Sequence, residues 1–460
     1  MEELGGSAGR EVAFGRDWTK GNIFRNLLSL SWPMIVTNTL MMVGPTIDTI
    51  WVGRLGAAAI AGVGVAGIAV QLVIVALMGL LMGVRAMVAR FVGAGDVKGA
   101  NHIVGQAFVI SAAFSIVIAA IGIFLAEPIL ILFELEADVV VEGAAYMRIL
   151  FVGALAMSFR IVAEAIMQAS GDTITPMKIA IGYRILHVAL CPFLIFGWWI
   201  FPRLGVSGAA VTNIVSQSLG GAIGLWILFS GRSRLRLSLR NFRIDLNVIW
   251  RIVRIGLPAL VSSIQRSFSQ FILMWFIAPF GTLAVAAHTI NQRIEMMLFM
   301  PGMSFGMGAG VLVGQNLGAR QPERAEKSAW LAVGLVEGVM IISSVVILVA
   351  AETMVRIFNA EPALVEIAST FLRIAVAGYI VQGFMGVLTQ TLSGAGDTVP
   401  PMVISLVTVW AVTLPLAYFL PKATDLGVYG VRWAMVAGVV VPAVALTTYF
   451  KLGRWKRKKV

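Results

Sequence analysis

The chain alternates long apolar runs with short polar connections. Twelve runs stand out, near 27–51, 58–82, 102–125, 143–168, 177–201 and 207–230, then 250–277, 284–310, 328–350, 366–392, 402–421 and 428–450. An α-helix needs about 20 mainly apolar residues to cross a hydrocarbon layer, so each run predicts one membrane span. One long polar stretch interrupts the pattern, Gly231 to Asp245, with Arg232, Arg234, Arg236, Arg240 and Arg243. It separates six spans from six. The expected organisation is a tail at 1–26, a six-helix lobe at 27–230, a basic linker at 231–249, a second six-helix lobe at 250–450 and a basic tail at 451–460.

The halves repeat one another. Pro33 recurs as Pro258, 225 residues on, and the same offset relates Gly56 to Gly281, Gly83 to Gly308, Arg148 to Arg373, Gly171-Asp172-Thr173 to Gly396-Asp397-Thr398 and Pro176-Met177 to Pro401-Met402. An even number of spans per half gives both halves the same orientation. The expected fold is therefore an all-α membrane protein of twelve transmembrane helices in two six-helix lobes, related by a parallel pseudo-twofold along the membrane normal. Two such lobes can rock around a central cavity. A duplicated, non-transporting membrane scaffold is the alternative.

Composition agrees with a bilayer as solvent. Only 13% of residues are charged and 59% are hydrophobic, against about 25% charged in soluble proteins. The net charge of +12 suggests nucleic acid until its placement is read. The N-terminal tail, the linker, the C-terminal tail (Lys451, Arg454, Lys456, Arg457, Lys458, Lys459) and the loops with Arg85, Arg90, Lys98, Arg320, Arg324 and Lys327 all fall on one side of a twelve-span layout. The opposite loops carry Glu134, Glu136, Asp138 and Glu142, and Glu352, Glu361 and Glu366. The positive side faces the cytoplasm, so both termini are expected there, in a plasma-membrane protein. The basic charge reads as topology plus contact with anionic lipid, not nucleic-acid binding. A single cysteine, Cys191, and three scattered histidines, His102, His187 and His288, predict no disulfide and no metal site. No cleavable leader is expected before the first run. Glycine-rich stretches follow helices and lack a P-loop lysine, and no catalytic constellation stands out, so neither ATP use nor an enzyme is expected.

A charge near mid-bilayer costs about 2.5–3.5 kcal/mol on insertion scales, which makes such residues functional candidates. Asp48 in the first span leads. Met34, Thr37, Met41, Pro45 and Asp48 are spaced as one stripe, and Pro45 removes a backbone donor beside the acid. The functional reading makes Asp48 a proton carrier next to a hinge at Pro33 and Pro45; the structural reading pairs it permanently with an arginine. Arg160 and Glu164, four apart in the fourth span, can pair, and Arg184 and His187 in the fifth can face them. These residues either join Asp48 in one polar pocket or form a structural bridge. Arg266 and Glu295 can pair between the seventh and eighth spans, with His288 and Gln292 on the same face as Glu295, as a structural bridge rather than a functional site. Glu337 stands alone in the ninth span. Asp172 and Asp397, in short glycine-flanked turns, are expected to cap the following helices.

The repeated segments resemble the multidrug and toxic compound extrusion (MATE) family. The likeness rests on Val313-Gly314-Gln315-Asn316-Leu317-Gly318-Ala319 and its partner Phe91-Val92-Gly93-Ala94-Gly95-Asp96, on Ser31-Trp32-Pro33, on Asp48 through Gly56 and on the two Gly-Asp-Thr turns. The major facilitator fold, another six-plus-six design, expects an acid followed by arginines in the loop after the second span, and residues 84–96 do not fit. The resemblance implies efflux of amphipathic, often cationic organic compounds by a monomer, driven by a proton or sodium gradient, with no cofactor. The helix-one aspartate points to the DinF-like branch. That branch often adds an acid in the fifth span, which is missing here, so protons are favoured and sodium is the alternative. The acids of NorM-like members in spans seven and ten are also missing; span seven offers Gln265, Arg266 and Gln270, and span ten Gln382 and Gln390. The coupling residues expected are Asp48, Glu164 and His187. The expected cavity residues are Thr37, Asn38, Met41, Pro45, Tyr183, Arg184, Gln265, Arg266, Gln270 and Glu295. A flippase for lipid-linked precursors, from the same wider superfamily, is the competing function, kept open by Arg160, Arg184 and Arg266.

Overall fold

A chain in hydrocarbon must satisfy its backbone internally, and helices do so within one segment. The computed structural model describes residues 16–132, 136–238, 243–458 and 460; the tail up to residue 15, Glu134, Arg240 and Lys459 lie outside them. The helices are α1 (Ile23–Val52), α2 (Ala57–Gly93), α3 (Val97–Ile131), α4 (Ala137–Val152), α5 (Ala154–Ser170), α6 (Ile174–Phe196) and α7 (Val206–Ser230), then α8 (Leu246–Ile277), α9 (Thr282–Gly318), α10 (Pro322–Arg356), α11 (Pro362–Tyr379), α12 (Gln382–Gly394), α13 (Val399–Val407), α14 (Leu414–Ala423) and α15 (Val428–Lys451). Among the described residues eleven spans are long and apolar enough to cross a membrane, α13 and α14 counting as one, and the bent pair α4–α5 makes a twelfth. The all-helical, twelve-span architecture is the one observed.

Two departures concern single runs. The run 143–168 is not one helix, because α4 and α5 meet at 51° beside Gly153. The run 366–392 likewise breaks between Tyr379 and Gln382, where the repeat carries Gly153 to Gly378. The eleventh span contains a π-helical stretch, Thr408–Thr413, between α13 and α14.

The residues form two compact units, one of Met1–Trp18 with Pro33–Arg254, the other of Thr19–Trp32 with Ile255–Val460. The contacts assign residues 19–32, with the start of α1, to the second unit, and the linker with the first turns of α8 to the first. In that unit α2 packs on α3, α4 and α5, and α7 packs on α4, α5 and α6. Its apolar core gathers Ile118, Leu130, Met147, Phe151 and Ile195. In the second, α9 packs on α10, α11 and α12, and α15 packs on α11, α12 and α14, around Phe371, Leu372, Ile347 and Tyr379.

Prolines inside α1 and α8 recur with their compensation. The hydroxyl of Thr37 donates to the carbonyl of Pro33 at 2.9 Å, and that of Ser262 to the carbonyl of Pro258 at 3.0 Å. Such back-bonding bends helices slightly. Of the two expected caps, Asp172 accepts from the amide of Thr175 at 3.0 Å. Asp397 instead accepts from Tyr449 at 2.6 Å and pairs with Lys458 at 3.1 Å. The C-terminal tail is thus held on the second unit, with Trp455 buried and stacked on Phe450 at 4.5 Å and Lys456 on Glu326 at 2.5 Å.

Candidate functional site

The polar residues of the first unit gather on α1, α5, α6 and α7. On α6, Arg184, His187 and Cys191 are spaced three and four apart and share a face. His187 Nε2 lies 3.0 Å from Asp48 Oδ1, and both side chains are only 1% exposed. Arg184 Nη1 lies 2.7 Å from His187 Nδ1. The Cys191 thiol reaches the same Asp48 oxygen at 3.6 Å, and Asp48 Oδ2 is buried with no hydrogen-bond partner among the described residues. Tyr146 of α4 borders the carboxylate as well.

The chain of contacts assigns the protons. A guanidinium has donors and no acceptor. Arg184 therefore donates to Nδ1, which must carry the lone pair. The neutral ring then bears its proton on Nε2 and donates it to Asp48. Histidine is here a proton donor to an acid, with its tautomer set by an arginine.

Arg184 reaches this position because α1 offers no side chain in its way. A Cβ on Gly44 would lie 2.0 Å from Arg184 Nη1. The buried stripe of α1 is Met34, Thr37, Gly44 and Asp48, with Met41 half-buried, whereas Pro45 is exposed. The sequence stripe placed Pro45 where Gly44 belongs, because 3.6 residues per turn let either position follow Met41. Pro45 is thus not a lining residue of this pocket. Its carbonyl accepts from Thr49 at 2.8 Å.

Glu164 sits apart from Asp48. It accepts from Arg160 Nη1 at 2.6 Å, and Arg160 Nε donates to Gln217 of α7 at 3.1 Å. Gln217 also donates to Asn213. The ring of Tyr183 lies between the two arginines, 4.7 Å from the Arg160 guanidinium carbon and 5.2 Å from that of Arg184. The two groups therefore form one buried network, but Glu164 is locked to an arginine and Asp48 is not.

In the second unit Glu295 does not pair with Arg266. It accepts from Arg432 of α15 at 2.5 Å, and Arg432 also reaches His288 at 3.5 Å. Arg432 is almost fully buried and takes the acid first; Arg266 turns to Ser263 on its own helix at 3.3 Å. Gln265 meets Ser405 of α13 at 3.2 Å, and Gln270 meets Gln292 at 2.7 Å. Thr37 is buried and Asn38 half-buried.

The fold also brings Cys191 into a cluster that the sequence did not foresee. Asp48, His187 and Cys191 hold their oxygen, nitrogen and sulfur atoms within 4.8 Å of one another, a donor set suited to a soft transition metal. The hydrogen bonding opposes it. A metal on Nε2 would move the ring proton to Nδ1, facing an Arg184 N–H at 2.7 Å. One carboxylate among nitrogen and sulfur is equally poor for a hard cation, which takes oxygen ligands.

The sequence profile of the MatE family matches this chain twice, over residues 33–193 and 258–419. The chain belongs to the MatE family. The two matches begin at Pro33 and Pro258, the same internal repeat read from the residues. A probable multidrug resistance protein NorM of Thermotoga maritima is 27% identical over 448 residues, covering 95% of this chain and 94% of the relative. A solved structure described as MATE in the bent conformation superposes with a TM-score of 0.88 at 22% identity, covering 95% of this chain and 96% of the other. A MOP superfamily transporter from Pyrococcus furiosus, described by a reversed polarity of its binding pocket, gives a TM-score of 0.85 at 22% identity, covering 95% and 96% of the two chains. Membership in MatE makes the chain a multi-pass membrane transporter and not an enzyme.

Proposed function

We propose that this MatE transporter exports amphipathic, often cationic organic compounds in exchange for protons, and that Asp48 carries the coupling proton. One observation supports this above the others. Asp48 is bonded by His187 and Cys191, neither of which is a fixed cation, and its Oδ2 is buried without a partner among the described residues. Glu164 and Glu295 are instead held by guanidiniums, which stay charged throughout the physiological range. An ionised carboxylate oxygen buried without a donor is costly, and a proton on Oδ2 removes the buried charge. The carboxyl can therefore load and unload. His187 supplies an N–H donor to the carboxylate without a fixed charge of its own. The donor set favours protons over sodium.

Loading the proton neutralises Asp48 beside Arg184 and alters the charge that the α1–α6 contact holds. The prolines of α1, Pro33 and Pro45, are the weak turns through which that change can bend the helix. Alternating access of the two repeated lobes would convert it into transport. Efflux of drug-like compounds follows the name of the NorM relative. A plasma-membrane location, cytoplasmic termini and a working monomer belong to the same proposal; the Asp48 network is built within one chain.

The test is flux of a fluorescent organic cation in proteoliposomes holding the full chain, under a proton or a sodium gradient. Proton-driven flux that Asp48→Asn reduces at least tenfold is the expected outcome. Undiminished flux in that variant would remove Asp48 from coupling. Absence of gradient-driven flux for every cation, with movement of a lipid-linked pyrophosphate, would favour a flippase.

A further inference from the structure

We infer that Glu337 is a second proton-binding site, in the second unit, and that its protonation loosens the start of α12. The inference does not depend on Asp48 carrying the coupling proton.

Glu337 lies in the middle of α10 and is 8% exposed. Its Oε1 accepts from the backbone amide of Phe384 at 3.1 Å. That amide belongs to the first turn of α12, at the break in the tenth span, where no side chain within α12 caps the helix. An acid from another helix therefore fills the capping role. Helix starts carry unsatisfied donors and a positive partial charge, so they favour the ionised form. Oε2 is buried and has no partner among the described residues. One oxygen thus favours charge and the other favours a proton, and the balance is open to pH.

Among the described residues no fixed cation decides it. The helices packed on α10 are α9, α11 and α12. On α9, His288 and Glu295 are engaged with Arg432, and Arg293 is exposed. On α11, Glu366 is exposed, Arg373 pairs with Glu352 at an exposed position, and Tyr379 lies beside Glu295 and Arg432. Residues 382–394 of α12 include no charged side chain. The electrostatic partners of Glu337 are the amides of Phe384 and Gly383.

Gly383 makes the approach possible. A Cβ there would lie 2.9 Å from Oε1 and 3.1 Å from Cδ of Glu337. The repeat does not impose this device. The residue equivalent to Glu337 in the first half is Ala112, and the first-half break is spanned by hydroxyls, with Ser115 donating to Ser158 at 2.9 Å. The second break alone is held by a group that titrates.

Hydrogen exchange of the purified full chain, followed by mass spectrometry across pH and corrected for intrinsic rates, tests this. In native protein the segment 382–386 should lose protection about tenfold on acidification, as the charge-assisted bond is lost. Asp48→Asn should keep that inflection. Glu337→Gln, neutral at every pH, should abolish it. Gly383→Ala should expose the segment at all pH values by displacing the carboxylate, and serves if Glu337→Gln does not fold. No inflection in the native protein, or the same inflection in Glu337→Gln, would overturn the proposal. Because the Asp48 reading is judged by flux, either one can fail without the other.

Discussion

At the scale of residues, what an acid can do depends on which group holds it. Asp48, Glu164, Glu295 and Glu337 all sit in membrane helices. Two face arginines, one a histidine, one a helix start. Only the last two have partners that permit release of charge. The tautomer of His187 couples Gly44, Arg184 and His187. Gly44→Ala should push Arg184 off Nδ1 and lower proton-driven flux, and Arg184→Ala should do the same. Since both act through one contact, the double variant should be no worse than Arg184→Ala alone. Additive losses in a flux assay would show that Gly44 acts elsewhere. Asp48 was legible in the sequence because an acid within an apolar run is conspicuous. Gly44 was not, since a missing side chain leaves no chemical signal. Arg432 was passed over because its partner Glu295 is 137 residues away.

At the scale of elements, backbone proximity sets what a position tolerates. A Cβ on Gly394 would lie 2.2 Å from the carbonyl oxygen of Gly310, backbone against backbone, where α12 crosses α9. Gly394→Ala should therefore destabilise by about 1–3 kcal/mol, as overpacking does. Gly334 of α10 has open space around it. There, Gly→Ala should be neutral or stabilise by up to about 1 kcal/mol, from helix propensity. Thermal unfolding in one detergent compares the two. The broken spans show why periodicity failed locally, since both segments of each are apolar and a run has no mark for a 51° bend. The π-helical stretch 408–413 is the repeat partner of 183–188. The half with continuous α-helix there carries Arg184 and His187.

At the scale of the whole molecule, the basic linker is tied to the first unit. Gln106 donates to the carbonyl of Arg243 at 2.8 Å and accepts from the amide of Asp245 at 3.1 Å, and Asn101 accepts from the amide of Arg236 at 2.8 Å. Gln106→Ala should speed tryptic cleavage after Arg243, read on a gel. Asp245 starts α8 by accepting from the amides of Val248 and Asn247 and faces His102 at 3.2 Å. The Val248 amide first, and then His102, hold its carboxyl below the usual carboxylate range. A depressed pKa stabilises above the unfolded value and is lost only as pH falls through the folded one. Linker protection should therefore persist through mildly acidic pH and disappear in strong acid.

Span number, the repeat and the location of buried charge follow from composition and register alone, because the bilayer demands long apolar helices and penalises every exception. The repeat needs no coordinates, since Pro33 and Pro258 start both halves and both family matches. Pairing is a different matter. Which arginine takes Glu295, which face of α1 meets Arg184, and what Glu337 caps depend on contacts between helices far apart in the chain. Those contacts are decided by packing: a cysteine and a histidine on α6 meet the aspartate of α1, and Gly44 leaves room for the Arg184 guanidinium beside them.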